Sequence, residues 1–265
     1  MTDRFGVEEI RRFWTEQALR HGASPSASWS DRPVLDLEVR EIATHLAGGQ
    51  RILDVGCANG YSTVQLAARC DVHVRGLDLI PEMIIEARRR LATLPAELAR
   101  RVEFDVGDIT ALHEPPESYD RVIVIRVLIN LEDWERQMGA LDQCARVLRR
   151  GGLLLLSEAT VQGWNALNRF RREWGLPDIP MPPFNTYLDE ERLTASASAR
   201  WDVVETSNFA SSYYVATRVV KPLLARVAAA DVNVADPLME WNRWASLLPA
   251  AGDYGTQKLF VLRKR

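Results

Sequence analysis

Three features predict a doubly wound α/β fold around a mostly parallel sheet. Short apolar strands alternate with helices from residue 51 to 159, a glycine-punctuated turn (LDVGCANG, 53–60) follows the first of those strands, and the fifth strand, LLLLSEA, is continuously apolar. An unbroken apolar run is what a strand covered on both faces requires. The 265 residues suit one such domain with additions, and 47% apolar residues allow a sizeable core.

In order, apolar spacing predicts a helix over 7–21 carrying Val7, Ile10, Trp14 and Ala18. A small, polar loop with an exposed Trp29 follows, then a helix with Leu35, Val39, Ile42 and Leu46 on one face, stopped by Gly48-Gly49. Strands are expected at 51–55, 73–79, 101–106, 119–128 and 153–159. Helices lie between most of them: one follows Gly60, one starts at Pro81, and a long one runs from Glu132 to a stop at Gly151-Gly152. Beyond 160 the rhythm breaks. A helix, a proline-rich loop and a short helix (188–198) precede strand-like WDVVETS and SSYYVATRVV, two helical segments (219–230 and 235–248) and a last strand, 256–264.

The turn at 56–60 lies where parallel sheets bind ligands, beyond the carboxyl ends of the strands. A dinucleotide site wants close-set glycines, whereas Gly56 and Gly60 are four apart with Cys57, Ala58 and Asn59 between them. Asp54 would place negative charge beside a pyrophosphate. A ligand with a cationic end and no phosphate fits better, and S-adenosylmethionine (SAM) has both an ammonium and a sulfonium.

LDVGCANG resembles the acidic-x-G-x-G-x-G motif of class I SAM-dependent methyltransferases, with Ala58 in place of the middle glycine. The resemblance covers residues 50–160 and, more loosely, the final strand. It implies a Rossmann-like seven-stranded sheet with SAM held by Asp54, Gly56, Cys57, Ala58 and Gly60. Asp78, 22 residues after Gly56, would take the ribose hydroxyls, with Leu79 and Met83 near the adenine. Asp108 and Ile109 would hold the adenine amino group and ring, and Arg126 to Asn130 would lie where donor meets acceptor. It also implies a helical N-terminal lid (1–48) and a SAM-binding domain (49–265) with cap insertions at 160–200 and 215–255.

Those cover segments hold six of the eight tryptophans (14, 29, 164, 174, 241 and 244), suggesting an enclosed apolar pocket for a small molecule. Trp14, Trp29, Asn130, Arg169 and Asn185 are the substrate-side candidates, and the polar run containing Arg169 suits an anionic or hydroxyl-rich acceptor. Glu158, Tyr213 and Tyr214 are the candidate catalytic groups. The four histidines (21, 45, 73 and 113) read as surface residues. Methyl transfer to oxygen or nitrogen of a small metabolite, driven by positioning and desolvation, is the leading expectation.

Alternatives stay open: an RNA or protein methyltransferase, an NAD-dependent oxidoreductase, or a SAM-binding protein without chemistry. A net charge of −3 gives no electrostatic case for nucleic acid. Three widely spaced cysteines (57, 70 and 144) fit free thiols in a reducing compartment, with no metal site. The mixed-charge N-terminus does not read as a signal peptide, and no run is long enough to span a bilayer, so a cytoplasmic monomer or homodimer without membrane contact is expected.

Overall fold

The computed structural model describes residues 6–197, 200–228 and 233–265. Helix α1 (Val7–His21) starts with Glu9 accepting the Gly6 amide at 2.8 Å and ends in Arg20 and His21, so charge opposes the helix dipole at both ends. Helix α2 (Arg32–Ala43) stops before the expected glycine pair. Successive i+3 bonds from Thr44, His45 and Leu46 tighten its last turn, and the Thr44 hydroxyl caps the Glu41 carbonyl at 2.7 Å.

The sheet then builds as β1 (Arg51–Val55), α3 (Tyr61–Cys70), β2 (His73–Asp78), α4 (Pro81–Leu91), the short α5 (Ala96–Ala99), β3 (Val102–Val106), β4 (Tyr119–Ile125), α6 (Trp134–Val147) and β5 (Leu148–Ala159). Strand β4 ends three residues earlier than expected because Arg126 turns left-handed, at φ 54°. Gly151 and Gly152 do not stop α6; they lie inside β5, where its register with β4 slips. Gly151 has φ 72°, and a Cβ on Gly152 would sit 2.9 Å from the Arg149 carbonyl oxygen. These glycines serve a bulge rather than a helix cap.

After β5 come α7 (Val161–Glu173), α8 (Glu190–Ala197), β6 (Trp201–Ser207), α9 (Ser211–Val215), a π-turn (Ala216–Val220), α10 (Lys221–Val227), α11 (Glu240–Ala245) and β7 (Gln257–Lys264). SSYYVATRVV is therefore helical, not a strand. Its burial does not alternate: Ser211, Tyr213, Tyr214, Ala216, Thr217 and Val219 are all buried, and Thr217 bonds back to the Tyr213 carbonyl at 2.7 Å. Tertiary packing overrides the β propensity of its aromatic and branched residues.

The strand order is β3-β2-β1-β4-β5-β7-β6, with β7 antiparallel to both neighbours. Adjacent residues point to opposite faces and both faces are covered. Ile52, Ile123 and Leu155 pack on one side; Leu53, Val122 and Leu154 pack on the other, under α6. Leu154, Leu155 and Leu156 have no exposed surface, so truncating any one removes about 2 to 5 kcal/mol.

Two buried carboxyl groups fix the turn after β4. Glu158, near the end of β5, accepts the amides of Val127 (2.8 Å) and Leu128 (2.7 Å) through Oε1. Glu38 of α2 pairs with Arg126, accepts the Ser157 hydroxyl at 2.5 Å and accepts the Gln257 amide at 3.2 Å. Burial pushes Glu158 up to about 8, against the two amide bonds. It therefore keeps its proton in the folded protein over a range where the unfolded chain loses it, and its contribution to stability falls as pH rises through that range.

Glu158→Gln should fold and flatten the fall in stability between about pH 5 and 8, measured by urea unfolding across that range. Glu38→Ala leaves the Arg126 guanidinium without its carboxylate and should cost about 3 kcal/mol in the same assay. An unchanged unfolding midpoint for Glu38→Ala would show that the network carries no stability.

Candidate functional site

The strand order reverses between β1 and β4, and a cleft of about 390 Å³ opens beyond their carboxyl ends. The turn after β1 forms its floor. The amides of Gly56 and Cys57 bond the Leu77 carbonyl of β2 at 2.7 and 3.0 Å, folding the turn back over the sheet. Gly56 (φ 79°) lies against the next turn: a Cβ there would meet Val127 Cγ2 at 2.1 Å. A Cβ on Gly60 (φ 72°) would meet the Phe104 ring at 2.6 Å. Ala58 occupies the left-handed region at φ 48°, a cost of about 1 kcal/mol for a residue with a Cβ.

Three carboxylates rim this floor. Asp54, in β1, is buried and accepts the Thr63 hydroxyl at 2.6 Å. Burial raises it to about 7; the Thr63 bond opposes this, and the charges of Asp78 and Glu38 add to it. The charges that act on Asp54, those of Asp78 and Glu38, are both negative. Asp78, the last residue of β2, accepts the Ala58 amide at 2.8 Å and the Ile80 amide at 2.9 Å. It is held at about 6 by burial, against those two bonds. Asp108 spends Oδ1 on the Thr110 amide and hydroxyl, at 2.8 and 2.7 Å. Leu79, Ile80, Met83 and Ile109 supply apolar wall between them.

The opposite wall comes from outside the sheet. Trp29 is half-buried rather than exposed, with the Arg126 guanidinium 4.5 Å above its ring. Trp14 Nε1 donates to Asn130 Oδ1 at 3.2 Å, and Asn130 Nδ2 donates to the Arg126 carbonyl at 2.8 Å. Phe184 packs on Phe13, with ring centroids 4.6 Å apart, and meets Trp14 edge-on. Pro182, Asn185, Tyr187, Tyr214 and Thr256 complete this side.

Of the residues singled out in the sequence, Asp54, Gly56, Cys57, Ala58, Asp78, Leu79, Met83, Asp108, Ile109, Arg126, Trp14, Trp29, Asn130, Asn185 and Tyr214 line the cleft together. Gly60, Glu158, Tyr213 and Arg169 are not among the lining residues. Gly60 caps α3 behind the turn, and Glu158 faces the amides after β4. The Tyr213 hydroxyl donates to Asp31 at 2.5 Å and accepts from Asn242. Arg169 is exposed on α7. Its polar neighbours shape the following loop instead: Asn168 bonds the Ile179 amide and carbonyl, Arg171 bonds the Pro177 carbonyl, and Arg172 pairs with Asp178.

Sequence reasoning missed Asn59, although it stands in the opening motif. Its buried side chain donates to the carbonyls of Gly22 (2.8 Å) and Ser24 (2.7 Å), tying the turn to the segment after α1. Glu38, Phe184, Tyr187 and Gln257 carried no motif, since each acquires its place only through long-range packing.

The family described as methyltransferase domain matches residues 52–152. The chain is 32% identical over 157 residues to 27-O-demethylrifamycin SV methyltransferase of Amycolatopsis mediterranei, covering 56% of this chain and 53% of that one. It is also 32% identical over 147 residues to O-methyltransferase rstn1 of Aspergillus nomiae, covering 53% and 63%. The chain thus spans less than two thirds of the length of these relatives. In fold it is similar to the N-methyltransferase NodS of Bradyrhizobium japonicum, solved with S-adenosyl-L-homocysteine (SAH), at TM-score 0.52 and 16% identity over 95% of this chain and 98% of that one. Among the described residues no helix is long and apolar enough to cross a membrane. The matched domain, the strand order with its antiparallel β7 and the acid-rimmed glycine turn agree: residues 52–152 match a methyltransferase domain, and the chain is similar to SAM-dependent methyltransferases.

Proposed function

We propose that the protein methylates a hydroxyl oxygen of a small molecule, with SAM as donor. The observation that carries this reading is the set of three carboxylates, Asp54, Asp78 and Asp108, around one glycine turn, with the negative charges of Asp78 and Glu38 acting on the buried Asp54. A cationic ligand supplies the missing charge, whereas a pyrophosphate would be repelled. The O-methyltransferases among the relatives support oxygen as the acceptor atom.

SAM, when bound, supplies a methyl carbon on a positively charged sulfur. Asp78 would accept the ribose hydroxyls with the lone pairs left over from Ala58 and Ile80. Asp108 would take the adenine amino group with Oδ2, its oxygen not spent on Thr110, and Ile109 and Met83 would flank the ring. Asp54 and the amides of the turn would receive the cationic methionine end. The helices before β1 and the insertions after β5 and β6 would cover the cleft and exclude water.

No histidine lines the cleft among the described residues. Burial raises the phenols of Tyr187 and Tyr214, which keeps both protonated at neutral pH. Rate enhancement then comes from alignment and desolvation of the acceptor rather than from a dedicated base.

SAM and SAH should each raise the Tm and NAD should not; stabilisation by NAD alone would overturn the donor assignment. Asp78→Ala should weaken SAM about 10- to 100-fold in calorimetry, the effect of losing charge-assisted hydrogen bonds. Because a cationic ligand favours ionised Asp54 and Asp78, affinity should fall as pH drops from about 8 to 6, and binding near pH 7 should release protons. Calorimetry in buffers of different ionisation heat reads that release, and proton uptake would contradict the role of Asp54.

A further inference from the structure

The acceptor side of the cleft presents a side-chain oxygen whose orientation the protein fixes and whose hydrogen bond it does not fill. Gln257 opens β7, opposite Ala159 at the end of β5. Because β7 runs antiparallel, its first residue lies at the carboxyl ends of β4 and β5, where the cleft opens. Three strand spacings separate β7 from β1, about 14 Å, so Gln257 stands well away from the glycine turn.

One orientation of its amide satisfies the neighbours. Nε2 lies 3.2 Å from Glu38 Oε1 and 3.2 Å from Ser157 Oγ. Ser157 donates its only hydroxyl proton to the same Glu38 oxygen at 2.5 Å, so its Oγ can only accept from Gln257. A flipped amide would set a carbonyl oxygen against a carboxylate and a hydroxyl lone pair. Both N–H groups are therefore spent on these two acceptors, and Oε1 is the end turned away from them.

No described residue donates to Oε1, and it is not among the unpartnered polar atoms that the protein closes off from solvent. Gln257 is 1% exposed, and it lines the cleft. Asn130, by contrast, already accepts Trp14 Nε1 and donates to the Arg126 carbonyl. A carbonyl oxygen held in a cleft without a hydrogen-bond donor costs free energy that a ligand O–H recovers. An anion there would meet this oxygen with the Glu38 carboxylate close behind it.

We infer that Gln257 is a specificity-determining residue whose Oε1 receives a hydrogen bond from a hydroxyl of the acceptor. That bond sets which way round the acceptor lies between Trp14 and Tyr214. The inference rests on the methyltransferase reading above and names the residue that selects a hydroxyl-bearing acceptor. The amide oxygen takes no proton; it orients. Glu38, which holds Arg126, also holds Gln257, so one carboxylate aligns the β4 turn and the acceptor.

Phenol, anisole and toluene share one ring and differ in hydrogen-bonding capacity, and their Kd values on the SAH-saturated protein can be read by ligand-observed NMR. Phenol should bind about two- to tenfold more tightly than either of the others, the worth of one hydrogen bond. Anisole keeps the oxygen but has no proton to give, so it separates donation from acceptance. In Gln257→Met the phenol advantage should vanish, whereas any loosening of the Glu38 network weakens all three probes alike. Retained SAH binding shows that the variant is folded. If it is lost, Gln257→Asn, which withdraws the carbonyl by one methylene, gives the same comparison. Equal binding of phenol and anisole, no binding of phenol, or an undiminished phenol advantage in the variant would each overturn the inference. Failure of the wild-type protein to bind SAH would instead overturn the donor reading.

Discussion

The Glu38 carboxylate is fully buried, and it is the point at which the helices before β1 are joined to the sheet. One oxygen meets Arg126; the other accepts from Ser157 of β5 and Gln257 of β7. A carboxylate removed from water is stable only when its lone pairs are filled, and this one draws its partners from the end of β4 and from two further strands. Arg126 is held at both ends as a result. Its backbone is left-handed, with its amide on the Ser157 carbonyl, and its guanidinium lies over Trp29. The position of Trp29 in the cleft wall, and of Asn130 through the Arg126 carbonyl, follows from that one pairing.

The donor side is organised differently. Asp78 and Asp108 are placed by bonds within their own turns, to amides no more than two residues away or across the neighbouring turn. Asp54 accepts a hydroxyl, from Thr63, and burial raises it to about 7, above Asp78 at about 6. The energetic gradient runs from a carboxylate well satisfied by the protein to one that the protein leaves short of positive charge. That is the arrangement expected where a ligand, rather than a side chain, completes the electrostatics.

What the sequence revealed tracks the range of the interactions. Alternation from 51 to 159 gave the parallel strands because each strand is buried on both faces by its own neighbours. LDVGCANG and the aspartates after it were legible because their partners are near in sequence or in the next turn. Gly151-Gly152 misled because a bulge and a helix cap use the same residue. SSYYVATRVV misled because its helix is set by burial against the cap and not by propensity. Arg169 was legible only as charge, and the exposed face of α7 is where it lies. Asn185 was singled out as one polar residue in a loop, and its place in the cleft lining comes from the fold of that loop.

The segments proposed to cover the cleft are bonded to one another as well as to the sheet. Asp31, at the start of α2, accepts the Tyr213 hydroxyl at 2.5 Å and pairs with Arg218 at 2.6 Å, both from the insertion between β6 and β7. Asn242 donates to the same Tyr213 hydroxyl and accepts Lys221 Nζ at 2.8 Å. Asp31, Tyr213, Lys221 and Asn242 are all buried. Opening one part of such a cover would strand polar groups in the other, and an unpaired buried group is costly. The N-terminal and C-terminal parts of the cover are therefore coupled, and a substrate that seats against Trp14 on one side and Tyr214 on the other meets a single, pre-arranged wall. That pre-arrangement is what the proposed catalysis by alignment would require.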